Sequence, residues 1–125
     1  MKEVIAIIRR HNLQETKAGL LGIGVPAITM ISVEGRGKQK GLPGWNYELD
    51  PALIELEEKN LGAAMRFIPK RMISTVVEDD DVPKVVETII RTNQTGHIGD
   101  GKIFVCPVED AVRVRTGESK EQALN

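Results

Sequence analysis

Gly96, Gly99, Gly101 and Lys102 fall within eight residues, Thr95-Gly96-His97-Ile98-Gly99-Asp100-Gly101-Lys102. Glycines let backbone N–H groups converge on an anion with no Cβ in the way. A lysine beside them adds a point charge. The spacing from Gly96 to Lys102 spells G-x-x-x-x-G-K. It departs from a phosphate loop at the last position, where Ile103 replaces the Ser or Thr whose hydroxyl binds magnesium. The context is also reversed, because this loop leaves a predicted helix and enters a predicted strand. A P-loop hydrolase is therefore rejected, while an anion cradle stays open beside an ordinary glycine-rich turn. Arg113 and Arg115 alternate with Val112 and Val114, so a short strand there would make a fork for phosphate oxygens. Taken alone, the same pair also reads as a solvated strand edge.

A second stretch, Gly35-Arg36-Gly37-Lys38-Gln39-Lys40-Gly41, sets an amide between two lysines in a glycine frame. Gln39 there suits magnesium or a carboxylate, with a flexible polar loop as the bland alternative. Lys70, after Pro69, is placed to neutralise a carboxylate. Gly22 to Ala27 loosely matches a dinucleotide pattern but follows a helix and contains Pro26, so it is set aside. His11 and His97 lack partners at metal-ligand spacing and read as surface histidines. Trp45 and Tyr47 read as a protein contact, because no basic stripe surrounds them. No Ser-His-Asp or Cys-His arrangement and no paired buried carboxylates stand out, which argues against an enzyme.

The elements that must position these residues follow from periodicity. Val4 to Ile8 is an apolar, β-branched run and predicts a central strand. Leu13 to Ile23 predicts a short helix ended by Pro26, and Ala27 to Val33 a second strand. Glu34 to Lys70 is too long for an ordinary connection. Asp50-Pro51 opens a possible helix inside it, with Leu53, Leu56, Asn60 and Ala63 or Ala64 at helical spacing. Met72 to Glu78 predicts a third strand. Asp79 to Asp81 suit the positive end of the next helix, whose stripe is Val82, Val85, Val86, Ile89 and Ile90. Lys102 to Val108 predicts a fourth strand and Val112 to Arg115 a final one.

The order is an α+β, ferredoxin-like βαββαβ sandwich with an extra C-terminal strand. Its strands look apolar on both faces, so self-association is the simplest cover for the side away from the helices. The 125 residues argue for one domain, and 41% hydrophobic residues for a modest core. A net charge of −1 gives no global pull towards nucleic acid or anionic lipid. The single Cys106 lies in an apolar run, reads as a buried structural thiol and suits a reducing compartment. No apolar stretch reaches membrane-spanning length, so a cytoplasmic protein without membrane insertion is expected.

Read together, Gly35 to Gly41, Thr92 to Val105 and Val112 to Glu118 strongly resemble the PII family of nitrogen-signalling proteins. The resemblance runs in order over residues 1–118, leaving 119–125 as a flexible tail. It implies a non-enzymatic ferredoxin-like trimer with nucleotide clefts between neighbouring subunits, where ATP and ADP compete. The insertion 35–70 corresponds to the T-loop, 95–102 to the B-loop and 113–118 to the C-loop. By match, Gly99, Asp100, Gly101 and Lys102 would hold phosphates, with Arg113 and Arg115 reaching in from the neighbour. Ile7, Thr29, Gly35, Gly37, Lys38 and Val76 would surround the adenosine. Gln39 would ligate Mg2+ carried by ATP. 2-Oxoglutarate would chelate that magnesium, held by Gln39, Gly41, Lys70 and the backbone of Gly99.

Four departures matter. The T-loop is longer by roughly a dozen residues, Ala63 stands where many members carry a uridylylated tyrosine, His97 replaces a usual lysine, and Arg10 a usual proline. The long loop is similar to that of the nitrogenase-regulating branch of archaea and some anaerobic bacteria, in which two paralogues act together. The resemblance thus implies a homotrimer, or a mixed oligomer with a paralogue, acting on dinitrogenase. An ammonium channel or glutamine synthetase is the alternative target, and a small nucleotide-hydrolysing enzyme the alternative activity.

Overall fold

The computed structural model describes residues 1–37 and 67–124. Strand β1 (Lys2–Arg9) leads through a 3-10 turn (Arg10–Asn12) into helix α1 (Leu13–Gly22), and β2 (Thr29–Gly35) follows. After the insertion come β3 (Ile68–Val77), a 3-10 turn (Asp79–Asp81), helix α2 (Val82–Asn93) and β4 (Gly101–Pro107). The sheet order is β2-β3-β1-β4, and every neighbouring pair is antiparallel. This is the expected ferredoxin-like α+β sandwich. The helix expected after Asp50-Pro51, together with Trp45, Tyr47 and Ala63, lies outside the described residues.

Alternation decides which face each strand buries. Val4, Ala6 and Ile8 of β1 and Ile73 and Val77 of β3 are buried beneath the helices, where Leu20, Val85 and Ile89 complete the core. Residues directly opposite each other in a ladder share a face. Ile7 opposes both Met72 and Lys102, and Ile5 opposes both Ser74 and Phe104, so these six lie on the face away from the helices. Ile31, opposite Met72, joins them and is 48% exposed, while Phe104 is 46% exposed.

Several local expectations are corrected. Strand β3 begins at Ile68, four residues before Met72, because β2 pairs with it down to the Gly35–Ile68 rung. Leu21 and Ile90 are exposed, since the helices meet through Thr16, Thr88 and Asn93 rather than through apolar residues alone. Cys106 is half-buried on the open face opposite Glu3, not enclosed in the core. Asp79 and Asp81 make no side-chain cap on α2; Asp79 pairs with the N-terminal amine at 3.0 Å and Asp81 with Lys84 at 3.0 Å. The C-terminal strand reduces to one bridge, Val112–Ser119, because Val114, Arg115 and Thr116 form a turn. Arg113 and Arg115 consequently do not share a strand face. Residues 120–124 form a 3-10 helix where a flexible tail was expected.

Candidate functional site

The glycine-rich loop joins the end of α2 to the start of β4. Gly96, Gly99 and Gly101 all adopt positive φ, which side chains resist. Gly101 is further constrained, because a Cβ there would lie 2.0 Å from the Ile7 carbonyl oxygen. Only glycine lets β4 start this close to β1.

The loop's nest of donors already holds an anion, and the anion is Asp100. Its Oδ2 accepts the Thr95 amide at 2.8 Å and the Gly96 amide at 2.9 Å. Its Oδ1 accepts the Thr95 hydroxyl and the Arg9 guanidinium, the latter at 2.6 Å. Burial alone would push this carboxyl up. The hydrogen bonds from Thr95, Gly96 and Arg9 outweigh burial and hold it down at about 2. The expected convergence of the Gly96 amide on a ligand is therefore corrected, because that donor is spent inside the loop. A phosphate near Asp100 would meet its backbone N–H and not its ionised side chain.

Two cations secure the other side of the loop. Arg9 also donates to the Ile98 carbonyl at 2.9 Å, and Lys70 donates from Nζ to the Gly99 carbonyl at 2.8 Å. Arg9 and Lys70 are direct partners in the β1–β3 ladder, on the face away from the helices. Lys70 is only 8% exposed. Burial lowers its pKa, Arg9 lowers it further, and Asp100 opposes both. A buried ammonium beside a glycine-rich loop is chemistry suited to an incoming carboxylate or phosphate. Arg9 was not legible as a site residue. Its only signal is a second cation directly before Arg10 at a strand end, and nothing in its spacing points to a loop 91 positions away.

The expected residues fall into two groups at opposite ends of the sheet. Ile7, Lys70, Gly99, Asp100, Gly101 and Lys102 gather at one end, with Lys102 opposite Ile7 and Gly35 two rungs beyond Lys70. Val76 opposes Glu3, four residues from Ile7 along β1, or about 13 Å. Thr29 opposes Ser74 near that second end. Arg113 belongs with them through the C-terminal helix, whose Leu124 lines a cleft with Val76. Arg115 is exposed in the turn, and Gly37 is exposed just before the insertion. Lys38, Gln39 and Gly41 lie outside the described residues, and so does most of the 35–70 loop. Among the described residues there is no cluster of three or more His, Cys, Asp or Glu suited to a metal, and no helix long and apolar enough to cross a membrane.

Comparison with known proteins supplies the family. The sequence model described as "Nitrogen regulatory protein P-II" matches residues 1–118. A "Nitrogen fixation nifHD region GlnB-like protein 2" of Methanobacterium ivanovii is 52% identical over 124 residues, covering 99% of each chain. A "Nitrogen regulatory protein P-II" of Microchaete diplosiphon is 40% identical over 126 residues, covering 99% of this chain and all of the relative. The solved structure of Arabidopsis thaliana PII bound to citrate superposes with a TM-score of 0.73 at 35% identity, covering 98% of this chain and 88% of the other. A family match over almost the whole length, with relatives of equal length and the same fold, means that this chain belongs to the nitrogen regulatory protein P-II family.

Proposed function

We propose that this chain is a non-catalytic nitrogen-status sensor that binds ATP or ADP between neighbouring copies of itself and regulates nitrogenase through the 35–70 loop. The phosphates sit against Gly99 to Lys102 of one copy. Thr29, Val76, Arg113 and Arg115 come from the next. Ile7, Gly35, Gly37 and Lys38 complete the adenosine pocket. Magnesium carried by ATP takes Gln39 as a ligand, and 2-oxoglutarate binds that magnesium with help from Gln39, Gly41, Lys70 and the Gly99 backbone. The names of nif-region relatives at about half identity support nitrogenase as the regulated system.

The observation that carries the anionic effector is Lys70. Its ammonium is largely buried at the glycine-rich loop, with its pKa lowered by burial and by Arg9. A carboxylate placed there relieves that cost and restores the proton's affinity. 2-Oxoglutarate then biases the loop only as far as its affinities for the two loop states differ. When nitrogen is scarce and 2-oxoglutarate accumulates, the loop releases its target and nitrogen fixation resumes.

Calorimetry with magnesium and ATP present tests this. The expected result is 2-oxoglutarate binding that weakens as pH rises through the lowered Lys70 pKa, with proton uptake on binding where the unliganded lysine is partly deprotonated. Absence of 2-oxoglutarate binding under these conditions would sink the effector mechanism. Steady phosphate release indifferent to 2-oxoglutarate would favour a hydrolase instead.

A further inference from the structure

The C-terminal segment turns back on its own arginine. Gly117, at φ +74°, lets residues 113–118 close a tight turn. The Arg113 amide donates to the Glu118 carbonyl at 2.8 Å, and the Gly117 amide to the Arg113 carbonyl at 2.7 Å. This backbone return delivers the Glu118 carboxylate to Arg113, with Nη1 to Oε1 at 2.8 Å. The other guanidinium arm, Nη2, donates to the Gln122 carbonyl at 3.0 Å. Gln122 lies in the 3-10 helix Lys120–Leu124, and Leu124 lines a cleft of about 230 Å3 together with Ala27, Thr75 and Val76.

Both arms of Arg113 are thus held by acceptors of its own chain. A carboxylate and a carbonyl together satisfy a guanidinium fork much as a pair of phosphate oxygens does. The same helix sets an apolar side chain beside Val76, one of the residues assigned to the adenosine. One continuous segment therefore holds the arginine and forms part of the cleft wall.

We infer that Glu118 and the Lys120–Leu124 helix form an internal competitor for the nucleotide, a latch that phosphates must displace from Arg113. This rests on the nucleotide reading above. Capture of a phosphate exchanges one anionic partner of Arg113 for another. The exchange breaks the Gln122 contact and loosens the Lys120–Leu124 helix. The nucleotide's affinity is then set by the difference between two partners for one guanidinium, and Glu118 acts as a positioning residue that tunes it. An adenosine without phosphates has nothing to offer Arg113 and does not draw the latch.

Two variants test this in the full oligomer: Glu118→Gln, and a chain lacking residues 121–125. Each should bind ADP more tightly than the parent, by roughly threefold to fivefold, as expected for a partly exposed ion pair removed from competition. Adenosine binding should stay within about twofold of the parent. Hydrogen exchange at residues 121–124 of the unaltered protein should speed up on saturation with ADP. Equal or weaker ADP binding by both variants, or an equal gain for adenosine, overturns the latch. If the unaltered chain binds no ADP, the sensor reading itself falls. If it binds ADP and the variants match it, only the latch does.

Discussion

Asp100 determines the shape of the glycine-rich loop more than any glycine in it. Its carboxylate collects two amides, a hydroxyl and a guanidinium. Because its folded pKa is depressed to about 2 from 3.8, it contributes stability that is fully present above pH 4 and is lost as pH falls through 2. Urea unfolding between pH 5 and pH 2 should show this slope, and Asp100→Asn should flatten it. The same change should cost about 1–2 kcal/mol at pH 7, because the amide offers two donors where the site supplies only donors. An unchanged pH profile in the variant would contradict the assignment. Gly101 gives a sharper case. Its Cβ would meet the Ile7 carbonyl at 2.0 Å, so Gly101→Ala should lower stability by at least about 2 kcal/mol and expose the first β1–β4 rung to exchange. Gly22→Ala meets no atom within 4 Å and should be neutral or slightly stabilising in the same assay. The glycines were readable as a loop from sequence, but their separate reasons were not. Nothing in the sequence tells that Gly96 serves an internal carboxylate while Gly101 serves a close approach of two strands. Arg9 was silent for the same reason, since its partners are brought near only by the β1–β4 pairing.

The elements themselves were more legible than their contacts. A β-branched run, a period-3.6 stripe and the stop at Pro26 located four strands and two helices to within a few residues. The stripe did not disclose how the helices meet. Thr88 is 2% exposed and Thr16 is fully buried, both filling places that periodicity leaves to apolar residues. They work there because each hydroxyl bonds back to its own helix or its lead-in, Thr16 to Asn12 at 2.8 Å and Thr88 to Lys84 at 2.7 Å. Asn93 then bridges the helices by donating to Thr16 at 2.9 Å. Gly19 permits this close crossing, since its Cβ would stand 3.0 Å from the Thr88 methyl. Alanine is favoured over glycine in a helix by about 1 kcal/mol, yet the Thr88 methyl is fixed by its hydroxyl's bond to Lys84. Gly19→Ala alone should therefore be neutral or destabilising. Paired with Thr88→Ser, which removes the methyl, it should recover most of that 1 kcal/mol relative to Thr88→Ser alone. A thermodynamic cycle of the four proteins by urea denaturation measures the coupling. No coupling would mean that the methyl yields freely and the crossing is not set by Gly19.

At the scale of the molecule, one sheet face is covered by two helices and the other carries Ile5, Ile7, Ile31, Met72 and Phe104 without a second layer among the described residues. Along β1 the rungs of Lys102 and of Val76, one from each group of expected site residues, lie about 13 Å apart. In the proposed cleft between copies, a head-to-tail ring sets the first group of one copy against the second group of the next. That arrangement predicts complementation. Lys102→Ala and Arg113→Ala should each weaken ADP binding strongly at every cleft of its own oligomer. After subunit exchange in mild denaturant at equal ratio, about one cleft in four should join an intact first half to an intact second half. Calorimetry of the mixture should then recover about a quarter of the parent's sites at near-parental affinity, with sedimentation velocity confirming that the oligomer has reformed. A mixture that reforms the oligomer and regains no tight sites would place both residues in the same cleft half, and the site would have to be rebuilt within a single chain.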